Sequence, residues 1–136
     1  MRVPDEFLYE YAVVRYVPRV DREEFINIGL IMMCKRRGWF CGRILIDQAR
    51  IKAFDTKADI ELLRKHSAVF ERHDVPQADI AVEEKYRWLA AVKNAVIQVS
   101  PSHPGLLVAD ESLGREESMQ SLAQEFNRLF NDIVAV

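Results

Sequence analysis

Phe25-Ile-Asn-Ile-Gly-Leu-Ile-Met-Met-Cys34 and Trp39-Phe-Cys-Gly-Arg-Ile-Leu-Ile46, joined by Lys35-Arg36-Arg37-Gly38, decide the fold of this chain. Both runs are rich in β-branched, aromatic and sulfur-bearing residues, and Arg37-Gly38 between them is a tight-turn signal, so they read as a β-hairpin. Upstream, Tyr9 to Val17 has the same composition and stops at Pro18, which adds a first strand. Three successive strands with short connections form an antiparallel meander. With Arg37-Gly38 as a two-residue turn, Cys34 faces Cys41, Met32 faces Arg43 and Leu30 faces Leu45. One face then carries Ile26, Ile28, Leu30, Met32, Cys41 and Leu45, and the other Phe25, Ile31, Met33, Phe40, Ile44 and Ile46. A half-solvated antiparallel sheet alternates apolar with polar residues, and this one is apolar on both faces. Each face therefore needs a cover: helices on one side, and further helices or a second subunit on the other.

The remainder supplies helices. Thr56-x-x-Asp59 fits a capping box and opens a helix to about Glu71, with Ile60, Leu63, Ser67 and Phe70 on one stripe. A second helix is expected over about Val82 to Ile97, with Val82, Tyr86, Leu89, Val92 and Val96 inward and a Glu83–Arg87 pair outside. Met119, Leu122, Phe126, Leu129 and Ile133 give Glu116 to Ile133 the clearest helical period. His73 to Asp79 and Ser100 to Gly105 read as loops, and Leu106 to Ala109 as a short fourth strand. The expected fold is α+β: one domain over residues 1–136, with a strand meander at about 9–46 and a mostly helical part at about 47–136, packed with three main helices.

Composition narrows the function classes. The 19 basic and 21 acidic residues leave a formal charge of −2, which offers no excess of cations for binding phosphates. No apolar run reaches the roughly 18 residues of a membrane span. The amino-terminal residues turn acidic within six positions and lack a signal-peptide core, so the cytosol is the expected compartment. Two cysteines make no disulfide framework, and Cys34 and Cys41 read as buried thiols, with a redox switch as the alternative.

Catalytic motifs are missing. The sequence contains no phosphate-binding glycine loop, no nucleophile elbow and no H-E-x-x-H. His66, His73 and His103 are too scattered for a metal site and read as ordinary surface or boundary residues, so no metal or cofactor is expected. Asp110-Glu111 before Ser112 read as acids leading into a helix, which its dipole favours, with acidic catalysts as the alternative. The informative cluster is Arg15, Arg22, Glu24, Asn27 and Gly29. If Val17 opposes Glu24, then Arg15 opposes Ile26 and lies diagonal to Glu24 on the same face. A guanidinium and a carboxylate there form a structural ion pair that fixes register, with Gly29 making room for a crossing side chain. Alternatively, Arg15, Arg22 and Asn27 bind an anion or a partner's carboxylate through the planar donor fork of arginine. A second, weaker cluster is the basic turn Lys35, Arg36 and Arg37 with Arg43, either solvated or set against phosphates.

Tyr11-x-x-x-Arg15-Tyr16-Val17-Pro18, followed by Arg22-x-Glu24-Phe25-x-Asn27-x-Gly29, resembles the N-terminal signature of the bacterial domain-of-unknown-function family 3037. The resemblance is strongest over residues 9–46 and extends to Leu122-x-x-x-Phe126-x-x-Leu129-Phe130. Glu23 stands where members of that family often carry glycine. The resemblance implies a small accessory protein encoded beside a HipA-like kinase. It carries over to Arg15, Arg22, Glu24, Asn27 and Gly29 without a catalytic role for any of them. The leading expectation is a non-catalytic binding or regulatory module working by protein–protein contact, with a partner protein or a second copy as occupant. The alternatives are an enzyme acting on a phosphorylated or nucleic-acid substrate, with Arg15 and Arg22 holding the anion and Glu24 as base, and a nucleic-acid-binding module using the basic turn.

Overall fold

The structure, a computed structural model, describes residues 5–72, 80–92, 96–109 and 115–135. Its spine is β1 (Asp5–Tyr16), whose length lets it serve two neighbours on one side. On the other side β1 pairs antiparallel with β2 (Ile26–Cys34), which pairs with β3 (Trp39–Ile44). The meander is as expected, and the fold is α+β.

The second edge of β1 is taken by residues expected to be helix end and loop, together with the expected strand at Leu106 to Ala109. β4 (Ile97–Val99) pairs with Val14 to Tyr16, and β5 (His103–Ala109) pairs with Asp5 to Tyr11, giving five strands among the described residues. Between β4 and β5, Ser100 keeps the ladder closed: its backbone N–H donates to the Val13 carbonyl at 2.9 Å, and its hydroxyl accepts from the Val13 N–H at 2.9 Å. The helix expected to reach Ile97 therefore stops early, as α4 (Val82–Ala90). Val96, Ile97 and Val99 are β-branched, and β1 still had a row of backbone donors and acceptors to satisfy, so tertiary pairing outweighed the helical period.

Two registers differ from expectation. Lys35 to Gly38 form a four-residue turn, with the Gly38 N–H on the Lys35 carbonyl at 3.1 Å and Gly38 itself left-handed at φ 59°. Cys34 therefore faces Trp39, Met32 faces Cys41 and Leu30 faces Arg43, a slip of two that leaves side-chain faces unchanged. Further along, a bulge does change faces: Val14 pairs with Gly29 and Arg15 with Asn27, so Ile28 is unpaired in that ladder. Ile26 and Ile28 consequently join Ile31 and Met33 on one face rather than Leu30 and Met32 on the other. Gly29 is required here, because a Cβ would lie 2.9 Å from the Arg43 carbonyl oxygen and run into the Ile44 side chain.

Helices cover both faces, so neither core needs a second subunit as its lid. On the face of Ala12, Val14 and Tyr16 sit α1 (Gln48–Phe54), α2 (Ile60–Ser67), α3 (Val69–Arg72) and α4, contributing Ile51, Leu63, Phe70, Tyr86 and Leu89. The cap of α2 is Asp59, whose carboxylate accepts from the Leu62 N–H at 3.0 Å; Thr56 lies a turn outside it. The expected stripe of Ile60, Leu63, Ser67 and Phe70 is buried. On the opposite face α5 (Arg115–Ile133) packs Leu122, Phe126 and Leu129 against Phe7, Val13, Leu30 and Met32. The residues 73–79 and 110–112, read above as a loop and an acidic lead-in, lie outside the described residues.

Two substitutions test this local geometry in opposite directions. Glu23 is exposed and left-handed at φ 56°, a conformation that costs an L-residue roughly 1–2 kcal/mol, partly offset in glycine by its flexibility. Glu23→Gly is expected to raise stability by about 0.5–1 kcal/mol in urea denaturation. Gly29→Ala is expected to lower it by roughly 1–3 kcal/mol in the same measurement, through overpacking against Ile44 and the Arg43 carbonyl.

Candidate functional site

The hairpin cluster divides into a structural half and an exposed half. Arg15 opposes Asn27, not Ile26, and its guanidinium lies 4.1 Å from the centre of the Phe25 ring. The Asn27 amide donates to the Ile133 carbonyl at 3.4 Å, and Arg50 of α1 donates to the Val134 carbonyl at 2.9 Å. These two donors satisfy carbonyls at the end of α5 that have no intrahelical partner. Nε of Arg15 and Oδ1 of Asn27 are buried without a hydrogen-bond partner. Glu24 pairs with Arg22, not with Arg15, and both are exposed; Arg19 pairs with Asp21 on the same loop at 2.6 Å. A hollow of about 170 Å³ opens there between Pro18, Arg19, Arg22, Glu24, Phe54 and Asp55. Its two guanidiniums are each matched by a loop carboxylate, and the Asp55 carboxylate already accepts from the Tyr16 hydroxyl at 2.6 Å. The loop thus holds no surplus of positive charge for an anion.

The basic turn is engaged with the fold. Lys35 pairs with Glu83 of α4 at 3.0 Å, and the guanidiniums of Arg36 and Arg37 lie 5.7 and 4.5 Å from the centre of the Phe7 ring. Arg43 sits apart from them, its guanidinium 5.2 Å from the centres of both the Phe126 and Phe130 rings and donating to the side-chain amide oxygen Oδ1 of Asn127 at 2.9 Å. The expected Glu83–Arg87 helix pair is replaced by two links to the sheet, since Arg87 donates to both oxygens of Glu10, at 3.0 and 2.6 Å. Cys34 and Cys41 are free thiols, no longer directly opposed, and burial pushes the Cys41 thiol up, away from the reactive thiolate. His66 is exposed on α2, and His103 packs on Tyr11 with ring centres 5.2 Å apart. Among the described residues no three acidic, cysteine or histidine side chains are grouped to hold a metal, and no helix is long and apolar enough to cross a membrane.

A further feature lies at the β5 edge of the sheet. Leu8 and Leu106 are register partners, so they share a face with Val108, and they are 70%, 48% and 60% exposed. α4 reaches this end of β1 through Arg87, which meets Glu10, and Leu8 stays exposed beside it. β5 pairs only with β1 among the described residues, and its seven residues, His-Pro-Gly-Leu-Leu-Val-Ala, carry no Lys, Arg, Asp or Glu. Two hollows lie near it, one over β1 and β2 on the Leu8 face and one between β5 and α5. One, of about 720 Å³, is lined by Leu8, Met33 and Pro104 with Glu10, Lys35 and Arg36. The other, of about 330 Å³, lies between Leu107 and Val108 of β5 and Ser121, Gln124, Glu125 and Arg128 of α5. The apolar run Leu106 to Ala109 signalled a strand in the sequence, but only the topology shows that strand to be an open edge.

Two carboxylates pin this end of β1. Glu10 accepts from Arg87 and from the Ser102 hydroxyl at 2.8 Å; Glu125 of α5 accepts from the Tyr9 hydroxyl at 2.7 Å and from Arg128 at 2.5 Å. The Arg87 guanidinium holds Glu10, and the Arg128 guanidinium holds Glu125, below the ordinary carboxyl value of 4.5. A carboxyl lowered on folding stabilises the folded state above its unfolded value, and that stabilisation is lost as pH falls through the folded value. Thermal unfolding followed from pH 7 downward is therefore expected to show a falling Tm below about pH 4.5. The Glu10→Gln/Glu125→Gln variant is expected to start lower at pH 7 and to fall less steeply.

No curated protein and no solved structure matches the chain. Residues 11–134 match the family described as protein of unknown function (DUF3037), which takes in both the hairpin and the α5 helix. The chain belongs to domain-of-unknown-function family 3037.

Proposed function

We propose that this protein is a non-catalytic binding module that acts by protein–protein contact through the open β5 edge. The observation that carries this reading is the exposure of Leu106 and Val108 on the uncharged edge strand β5, with the exposed Leu8 of β1 beside them. Soluble proteins protect such edges with charges, bulges or a covering element, because a row of unpaired backbone groups invites a further strand. Contiguous apolar surface of this kind marks interaction sites. In this reading Arg15, Asn27 and Gly29 shape the hairpin and hold the end of α5, and the exposed Arg22–Glu24 loop is a second contact candidate. A regulatory role beside a HipA-like kinase fits the same module, the kinase being one protein whose strand or loop would occupy the edge.

Capture of partners from nuclease-treated native-host lysate by the tagged protein, by Leu106→Lys and by Arg15→Ala/Arg22→Ala tests the reading. A defined protein, whether another polypeptide or untagged native chain, is expected with wild type and lost with Leu106→Lys. Retention by Leu106→Lys with loss in the arginine variant would move the contact to the hairpin loop. A wild-type chain that holds no protein, neither a partner nor itself, ends the binding-module reading.

A further inference from the structure

We infer that the occupant of the β5 edge is the β5 edge of a second copy, paired antiparallel about Leu106 to make one continuous ten-stranded sheet. The inference rests on the binding reading above and names its partner. Antiparallel pairing about a two-fold axis sets a strand against itself, so it needs a strand that tolerates its own sequence. β5 does: with no charged residue along it, no like charges meet. A two-fold at Leu106 places Leu106 opposite Leu106 and Pro104 opposite Val108. An axis perpendicular to the sheet keeps like faces together, so the two Leu8–Leu106–Val108 patches become contiguous and cover each other laterally. Pro104, which lacks a backbone N–H, stands near the strand end, where an edge pairing tolerates it.

The size of the contact agrees. Seven residues at about 3.4 Å give a strip roughly 24 Å long. With α5 flanking β5 on one face, the strip is two layers, roughly 20 Å, tall. That buries on the order of 500 Å² per copy and about 1,000 Å² in all, the lower bound for a specific interface. The dimer is expected to be reversible and concentration-dependent. The even-numbered side chains of the added strand then lie beside Leu106 and Val108, and its odd-numbered ones beside the hollow between Leu107 and Ser121.

Light scattering and sedimentation equilibrium of the purified full chain over a concentration series test this. Wild type is expected to approach twice the chain mass, and Leu106→Lys and Val108→Lys to weaken association at least about tenfold with an unchanged far-UV spectrum. Leu62→Lys, at an exposed leucine on α2, is expected to leave it unaltered. Backbone amides of residues 103–109 are expected to gain hydrogen-exchange protection as concentration rises. A wild type that stays monomeric at every concentration overturns the second copy as occupant, while lysate capture lost in Leu106→Lys would still uphold the binding module. A dimer that survives both lysine variants, or that leaves the 103–109 amides unprotected, overturns the edge pairing itself.

Discussion

Every buried backbone donor and acceptor of β1 has to find a partner, and the rest of the architecture follows from that requirement. β1 is twelve residues long, longer than β2 opposite it, and lies in the middle of the sheet with a core on either face. One edge is satisfied locally by the meander. The other can be satisfied only by a segment returning from far along the chain, which is why Ile97–Val99 and His103–Ala109 lie in the sheet and not in helices or loops. Ser100 bridges the break between them by putting its hydroxyl where a backbone carbonyl would otherwise accept. The helices then arrange themselves around a sheet that is already apolar on both sides.

The unusual residues of the first hairpin make sense in that frame. The bulge at Ile28 reverses the faces of β2 midway, sending Ile26 and Ile28 toward α1–α4 while Leu30 and Met32 stay with α5. Gly29 is the residue that permits it, because the Ile44 side chain and the Arg43 carbonyl occupy the space of a side chain. The same reversal points Asn27 at the end of α5, where its amide donates to a carbonyl that the helix leaves open. A cluster that looks chemical in one dimension is thus in good part the device that joins hairpin, bulge and helix end.

The sequence made the two-sided sheet, the meander and the three helical stripes readable, since each depends on local periodicity and turn chemistry. It could not make the bulge readable, because a bulge is a property of two strands and of the space between them, and Gly29 has several explanations in one strand alone. Nor could it place Val96 to Val99, where a helical period and a β-branched run overlap and only the empty edge of β1 decides between them, or extend the strand read at Leu106 to Ala109 back to His103. The ion pairs depart from the local spacing for a related reason: Glu83 and Arg87 are neighbours on a helix, yet Glu83 finds its partner in Lys35 of the β2–β3 turn and Arg87 in Glu10 of β1. Exposed side chains choose among all charges within reach, and sequence separation describes only some of those.

The same accounting bears on function. A sheet whose inner edges are so fully paired stands in contrast to an outer strand left uncharged, with a hollow between it and α5, and with its exposed Leu106 and Val108 beside the exposed Leu8 of β1. An edge of that kind is a liability in an isolated soluble protein, and a lysine at one position would have been enough to protect it. The carboxylates Glu10 and Glu125 hold the strand beside it firmly, one through Arg87 and Ser102, the other through Tyr9 and Arg128. The strand beside the edge is thus tied to α4 and α5. A strand already held extended by its neighbour has little ordering left to lose when another is added, so even a modest contact area can hold one.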